Sequence, residues 1–279
     1  MNEAMRDYWN GDVGRTWAMM QGRMDAALAP VTRALLDAAA PLHGDHVLDI
    51  GCGSGDTTLA LAGAVGRGGS VLGVDISEPL LALAAERGAG RGVRFLEADA
   101  ASLVSDVRFN LIVSRFGVMF FDDPVGAFDH IRGAAAQGGR LAFACWRVPA
   151  DNDWATVPVA ALAGEMPPID PGDPLAPGPF AFADAKRTTG ILEQAGWRDV
   201  VVRPFDFIMQ MGTGNEPAAD AADFSLRIGP AARALADALA AGTLDRDRAI
   251  ANLTRAYAPY VADGGVGLPG GIWLVTARA

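Results

Sequence analysis

Lysine is almost absent from this chain, and cysteine, histidine and tyrosine are scarce. The 279 residues include one lysine, Lys186, two cysteines, three histidines and three tyrosines. Nonspecific affinity for nucleic acid depends on clustered Lys and Arg, whereas here the formal charge is -10 and the arginines are scattered. These features predict a partner other than DNA or RNA.

The few thiols and imidazoles also limit the chemistry that the chain can perform. Cys52 and Cys145 are far apart, and Cys52 lies among glycines, which favours a reducing compartment over a disulfide framework. The histidines, at positions 43, 46 and 130, show no ligand-like spacing, so we expect no structural metal. No apolar run approaches the roughly 20 residues of a membrane span. The first seven residues show no signal peptide. We therefore expect a cytoplasmic chain without a membrane partner.

The sequence is organised around residues 47–55, which read VLDIGCGSG. A short apolar run with one acid, Asp49, predicts a buried parallel strand. Glycines at 51, 53 and 55 predict a tight turn, and the residues from Asp56 onward predict a helix start. A strand, a glycine-rich turn and a helix N-terminus let a ligand approach bare backbone. By itself, this pattern also suits a glycine-rich turn in some other α/β protein.

Alternating strands and helices continue along the chain. We predict strands at 70–75, 93–100, 109–114, 140–146, around 200–202 and at 271–277. The second predicted strand ends in Asp75, and the third closes on Asp99 and Ala100. Asp75 has an alternative role as a helix N-cap, but we expect Ser77 to cap the following helix. Asp99 has an alternative role in a solvated turn.

Together, the G-x-G-x-G turn, Asp49, Asp75 and Asp99-Ala100 resemble the class I methyltransferases that depend on S-adenosyl-L-methionine (SAM). The small-molecule, ubiquinone-biosynthesis-type branch is the most similar. The resemblance implies a doubly wound α/β fold: a seven-stranded, mostly parallel Rossmann-like sheet whose last strand is antiparallel. It also implies that the turn holds the amino-acid end of SAM, that Asp75 binds the ribose, and that Asp99 binds the adenine amino group.

The resemblance divides the chain into a core and additions. Residues 47–146 would be the SAM-binding core, and residues 183–279 would complete it, with a helical insertion at 215–263. Residues 1–46 would form a lid of two helices joined near Pro30, although their aromatic and Met stripe also suits plain core packing. Residues 147–182, rich in proline, would build the acceptor pocket or form a solvated insertion.

The resemblance and the residue patterns imply one set of contacts to the cofactor and another to the substrate. The expected cofactor contacts are Asp49, Gly51, Cys52, Gly53, Gly55, Asp75, Ile76, Asp99, Ala100, Ser114, Phe116 and Trp17. The expected substrate contacts are Trp9, Met20, Arg115, Met119, Trp146 and Trp154. For Met119, packing of a short helix is the alternative.

The implied reaction is in-line transfer of the SAM methyl group to a small-molecule acceptor, in an apolar pocket that excludes water. No residue stands out as a general base, so the catalytic residues remain unassigned. A SAM-binding protein without methyl transfer is the alternative. The short glycine spacing and the lack of a Tyr-x-x-x-Lys pair disfavour an NAD(P)-dependent dehydrogenase. Whether the chain forms a homodimer is left open.

Overall fold

A computed structural model describes residues 3–165 and 172–279. The strands in this part of the chain are β1 (His46–Ile50), β2 (Ser70–Asp75), β3 (Val93–Glu97), β4 (Phe109–Arg115), β5 (Ala135–Trp146), β6 (Arg198–Thr213), β7 (Val261–Ala262) and β8 (Gly265–Arg278). They form one sheet in the order β3-β2-β1-β4-β5-β8-β6, and β7 pairs with β8 beside this path. β1 to β5 are parallel, whereas β8 is antiparallel to both of its neighbours.

Helices pack around this sheet. They are α1 (Glu3–Asn10), α2 (Asp12–Met19), α3 (Gln21–Ala39), α4 (Asp56–Val65), α5 (Glu78–Gly88), α6 (Pro124–Ala134), α7 (Asp153–Ala161), α8 (Ala185–Gln194), α9 (Pro217–Ser225), α10 (Pro230–Ala240) and α11 (Arg246–Tyr257). The architecture confirms the predicted fold class, a Rossmann-like α/β sheet that is mostly parallel with an antiparallel strand near one edge.

The central strands are buried on both faces. Val47 and Leu48 in β1, and Leu111 and Ile112 in β4, are at most 1% exposed. A parallel strand covered by helices on both sides needs apolar residues at successive positions rather than alternating ones. This is why the apolar runs of the sequence marked these strands correctly.

The N-terminal prediction of two helices joined near Pro30 is wrong. Three helices fill this region, with breaks at Gly11 and Met20, and Pro30 lies inside α3. A proline in a helix interior removes one backbone hydrogen bond and costs about 3 kcal/mol. Burial of the α3 residues Ala27, Leu28, Val31 and Leu35, each at most 3% exposed, offsets that cost.

The strand count also differs from the expected seven. The additional strand, β7, has only two residues and forms a hairpin with β8 through Asp263 and Gly264, which both have positive φ. It falls within 215–263, which the sequence predicted to be helical. β5, β6 and β8 are longer than predicted, since β5 begins at Ala135, β6 continues to Thr213 and β8 begins at Gly265. The predicted strand 93–100 is shorter, because β3 ends at Glu97.

The two predicted additions to the core pack against each other. α7, from the segment after β5, contacts α10 and α11 of the insertion between β6 and β8, and α9 packs on β6. Residues 166–171 of the predicted acceptor segment lie outside the described residues. The helices of these two segments, which are α7, α9, α10 and α11, form one group beside the carboxyl end of β5.

Candidate active site

The turn after β1, here called the glycine turn (residues 51–55), is held in a conformation that favours glycine. Gly51, Gly53 and Gly55 have φ values of 65°, 54° and 86°, which residues with a Cβ rarely adopt. A Cβ on Gly51 would lie 2.6 Å from the Cα of Gly117, at the end of β4. The ends of β1 and β4 therefore approach so closely that only glycine fits at position 51.

Most amides of the glycine turn already have acceptors within the protein. The N–H groups of Gly51 and Cys52 both donate to the Val74 carbonyl, at 2.9 and 3.0 Å. The Gly53 N–H donates to Asp75 Oδ2 at 2.7 Å, and the Gly55 N–H donates to the Cys52 carbonyl at 2.9 Å. These four groups are not free to bind an anion. The turn is thus better suited to a cationic group than to a phosphate.

Asp75 lies at the end of β2, beside the glycine turn. Its Oδ2 accepts from Gly53 N–H, and its Oδ1 accepts from Ser77 N–H at 2.9 Å. The expectation that Ser77 caps α5 with its side chain is wrong, since the Ser77 hydroxyl donates instead to the Trp9 carbonyl. The two amides fix the Asp75 carboxylate, and each oxygen retains a lone pair that can accept a hydroxyl proton.

Asp49 is completely buried in β1, under the glycine turn. Its Oδ2 accepts from the Thr58 hydroxyl at 2.6 Å, and its Oδ1 has no hydrogen-bond partner among the described residues. Burial raises the pKa of Asp49 to about 7. Cys52 lies above it with its thiol buried, and burial raises the Cys52 pKa as well, so this thiol is a packing group and not a nucleophile.

Asp99 and Ala100 follow β3. Asp99 Oδ1 accepts from Ala101 N–H at 2.9 Å, and Ala100 is buried. Asp99 also lines a cavity of about 190 Å³ that reaches the start of α6 at Gly126 and Ala127. Its carboxylate therefore faces open space near the edge of the site, which the predicted contact with an adenine amino group requires.

The end of β4 carries a strained aromatic residue. Phe116 has φ of 70°, a left-handed conformation that is rare for a bulky side chain. Its ring stacks on Trp146, at the end of β5, with centroids 4.3 Å apart and planes within 7°. The neighbouring Ser114 hydroxyl donates to the Ile50 carbonyl and accepts from Gly117 N–H. Ser114 is thus a link between the ends of β1 and β4.

An aromatic wall continues from Phe116 away from the glycine turn. Trp146 contacts Trp154 of α7 at 4.6 Å between centroids, and Trp154 stacks on Phe180 at 6.0 Å. The structure therefore brings the predicted substrate residues Trp146 and Trp154 together with Phe116. Met119 is 1% exposed and lies in the core, in keeping with the packing alternative.

Four charged residues form two ion pairs beside the glycine turn, and we call them the charge cluster. Arg115 of β4 bonds to Asp56 at 2.7 Å and to the Thr32 hydroxyl at 2.6 Å. Arg87 of α5 bonds to Asp25 at 2.6 Å and to the Ser54 carbonyl. Desolvation, together with the nearby Asp56 charge, raises the pKa of Asp25. Sequence reasoning selected only Arg115 of these four.

The N-terminal helices α1 and α2 lie against the turn between β2 and α5. Trp9 makes edge contacts with Trp17 and with Phe120, each at 5.5 Å between centroids. Asn10, which the sequence argument missed, donates to the Ile76 carbonyl and accepts from Glu78 N–H, both at 2.8 Å. Met20 lies between α2 and α3 and packs against the core. Trp9, Trp17 and Ile76 thus lie where α1 and α2 pack against the turn after β2.

Neither a histidine-based site nor a metal site is evident among the described residues. His46 contacts Ser70 at the amino ends of β1 and β2, and His130 contacts the Leu103 carbonyl. In residues 3–165 and 172–279, no group of His, Cys, Asp or Glu side chains is arranged to hold a metal ion. None of the helices in this part of the chain has the length and apolar character that a membrane crossing requires.

Comparison with known proteins identifies the class. Residues 47–139 match the family model described as a methyltransferase domain. The fold and this match confirm the resemblance seen in the sequence: residues 47–139 are a methyltransferase domain of the class I, SAM-dependent type. The cofactor of this class is SAM, as the sequence predicted.

Two curated relatives show how much of the chain is matched. Aklanonic acid methyltransferase DauC of Streptomyces sp. is 36% identical over 118 residues, covering 41% of this chain and 54% of the relative. The ubiquinone/menaquinone biosynthesis C-methyltransferase UbiE of Azotobacter vinelandii is 33% identical over 144 residues, covering 50% of this chain and 51% of the relative. The chain thus spans about half the length of the curated relatives it matches.

The fold is shared more widely than the sequence. The crystal structure of the cyclase SpnF covers 95% of this chain and is itself covered to 95%, with a TM-score of 0.54 and 18% identity. A likeness at this identity concerns the fold alone. Since this neighbour is a cyclase, the fold does not by itself establish methyl transfer.

The residues of the site fit the cofactor of the class. Asp75 offers a fixed carboxylate for a diol, and nothing lies within 4 Å of a Cβ position on Gly53, which leaves backbone open to a ligand there. The unpartnered Asp49 oxygen under the glycine turn suits a positive group nearby. SAM combines a ribose, an ammonium group and a sulfonium, so each of these three features has a counterpart in the ligand.

Proposed function

We propose that this chain binds SAM at the carboxyl ends of β1, β2 and β4 and transfers its methyl group to a small, apolar acceptor. The observation that carries the proposal is the pairing of the glycine turn with Asp75, whose carboxylate is fixed by Gly53 N–H at 2.7 Å. The match to a methyltransferase domain covers these same residues. The DauC and UbiE names support a small-molecule acceptor.

Each part of the site has a role in this proposal. Asp75 accepts the ribose hydroxyls, Asp99 accepts from the adenine amino group, and Ile76 packs on the base. Arg87 and Arg115 of the charge cluster lie beside the turn, paired with Asp25 and Asp56, and exchange part of these contacts for the carboxylate of the methionine tail when the cofactor binds.

The reacting end is lined by aromatic residues. SAM supplies an electrophilic methyl group, so the protein has to align the acceptor and exclude water. Phe116 and Trp146 border this space at the ends of β4 and β5, and an apolar surrounding favours the dispersal of positive charge as the methyl group moves. We assign no general base, because the three histidines lie away from the aromatic wall, with His43 beside Gly66, His46 beside Ser70 and His130 beside the Leu103 carbonyl.

The N-terminal helices act as a lid in this proposal. The bonds from Asn10 to both sides of the β2–α5 turn attach the lid over the ribose, and Trp9 and Trp17 shield the site. The remaining assignments follow from composition: an acceptor other than nucleic acid from the charge of -10, and the cytoplasm from two unpaired, buried cysteines. A homodimer is compatible with the proposal and not required by it.

The test is binding followed by turnover. Calorimetry with SAM and with NAD should show binding of SAM alone. Release of S-adenosylhomocysteine (SAH) should then be followed with phenolic and quinol acceptors. SAM binding without SAH release from any acceptor would favour the alternative, a SAM-binding protein without methyl transfer, whose fold precedent is the cyclase neighbour. Absence of SAM binding would overturn the proposal.

A further inference from the structure

The glycine turn contains more negative charge than its neighbours neutralise. Asp49, Asp56 and Asp75 approach it from β1, α4 and β2, and the electrostatic field at Asp49 has contributions from both other acids. Arg115 is the cation that acts on Asp49 among the described residues, and it is already bonded to Asp56. Asp49 is therefore left without a counter-ion of its own.

The hydrogen bonds around Asp49 agree with this imbalance. Only Oδ2 is satisfied, by the Thr58 hydroxyl, whereas Oδ1 is buried and unpartnered. An ionised carboxylate in this setting is costly, because a buried charge needs a partner or must be neutralised by a proton. Besides Arg115 and Asp56, the titratable groups that act on Asp49 are Asp75 and the Cys52 thiol, and burial raises the pKa of both.

The group of the ligand that lies beside Asp49 has to be positively charged. The amides of residues 51, 52, 53 and 55 are all occupied by protein acceptors, so an anion would find few donors here. Of the groups in SAM, the α-ammonium belongs to the amino-acid end that the turn receives in the proposed function. An ammonium near the turn would supply the missing counter-charge through the low-dielectric interior.

We propose that Asp49 carries a proton in the ligand-free protein and releases it when the α-ammonium of the cofactor binds. No bond other than the O–H bond of Asp49 breaks, and the proton passes to solvent buffer. Asp49 is thus a positioning residue that couples cofactor affinity to pH and distinguishes ligands with the amino-acid tail from bare nucleosides. The inference rests on the proposed function, since it assumes that the cofactor occupies this site.

The coupling has a defined direction. Below the pKa of Asp49, which burial raises to about 7, the ligand must displace a proton, so its affinity is reduced. Above that pKa the carboxylate is already ionised and affinity levels off. The affinity for SAH should therefore rise by about tenfold between pH 6 and pH 8.

The experiment is calorimetry of SAH binding at pH 7 in two buffers with different ionisation enthalpies, which gives the number of protons released. We expect a release of about half a proton for wild type with SAH. With 5′-methylthioadenosine, which lacks the amino-acid tail, we expect none. SAH is the product of the proposed reaction, so the measurement does not depend on turnover.

Two variants complete the test. Asp49→Asn keeps an acceptor for Thr58 and should bind SAH more weakly, with no proton release and less than a twofold change between pH 6 and pH 8. The matched control is Asp45→Asn, a buried acid paired with Arg140 ahead of β1, which should behave as wild type. SAH binding without proton release in wild type would overturn this inference alone. No SAH binding in wild type would instead overturn the proposed function.

Discussion

The hydroxyl of Ser77 donates a hydrogen bond to the backbone carbonyl of Trp9 at 2.8 Å. This bond joins the turn after β2, where Asp75 lies, to the end of α1. Close packing reinforces it, since a Cβ on Gly14 of α2 would lie 1.9 Å from the same carbonyl and 3.0 Å from the Ser77 hydroxyl. The turn that carries Asp75 is therefore packed directly against α1 and α2, and any movement of these helices away from the turn must break this contact.

Replacement of Asn10 tests the lid. Asn10→Ala removes the bonds to the Ile76 carbonyl and to Glu78 N–H, each worth roughly 1 kcal/mol. An open lid should then be more populated, and SAH should dissociate about five- to thirtyfold faster in stopped-flow fluorescence. Asn252→Ala, on α11 away from the site, is the control. An unchanged dissociation rate in Asn10→Ala would show that these helices do not gate the site.

Replacement of Asp75 tests the ribose contact. Asp75→Ala removes the carboxylate that accepts from two amides and, in the proposed function, from two hydroxyls. Charge-assisted hydrogen bonds are worth about 1.5–3 kcal/mol each, so SAH affinity should fall by at least about tenfold. Calorimetry measures the affinity, and circular dichroism should show an intact fold. Asp247→Ala, at an exposed acid in the first turn of α11, serves for comparison. Undiminished affinity in Asp75→Ala would refute the ribose assignment.

Two glycines of the same turn separate steric conflict from backbone strain. Gly51→Ala places a Cβ 2.6 Å from the Gly117 Cα, whereas a Cβ on Gly53 meets nothing within 4 Å. Both positions have positive φ, so both variants carry roughly 1 kcal/mol of strain. Gly51→Ala should lose clearly more stability in urea unfolding, because the ends of β1 and β4 have to separate. Equal losses would mean that this close approach is not maintained in solution.

The ligand-free stability of Asp49→Asn depends on pH. The pKa of Asp49 is raised from 3.8 to about 7, so its contribution to stability is fully present below about pH 4 and is lost as pH rises through 7. This difference corresponds to at most about 4 kcal/mol. Asp49→Asn should therefore unfold at higher temperature than wild type at pH 8, and the gap should close near pH 4. A gap that is the same at both values would show that Asp49 stays ionised in the folded protein.

Much of the fold could be predicted because its signals are local. The runs that became β1, β2 and β4 are apolar at successive positions, and the glycines at 51, 53 and 55 fix the turn within a few residues. The error at Pro30 shows the limit of such signals. A proline lowers helix stability locally, but the buried face of α3 contacts β4, β5 and β8, which are distant in sequence.

The site was predictable where residues follow strands and not where they meet across the chain. Asp75 and Asp99 are found by their position after β2 and β3. Asn10 contacts residues 66 and 68 positions away, and its role has no local signature. The pairing of Arg115 with Asp56 and the capping of α5 likewise depend on which elements the fold brings together.

The position of β8 constrains how the protein can be assembled. In the described sheet, β6 pairs with β8 alone, and β8 lies between β5 and β6 although it follows both in the chain. A ribosome therefore has to complete β8 before β6 can join the sheet. During synthesis the edge of β5 is exposed while α9, α10 and α11 are being made. Protection of that edge, whether by a chaperone or by the speed of elongation, should govern the yield of native protein in cells.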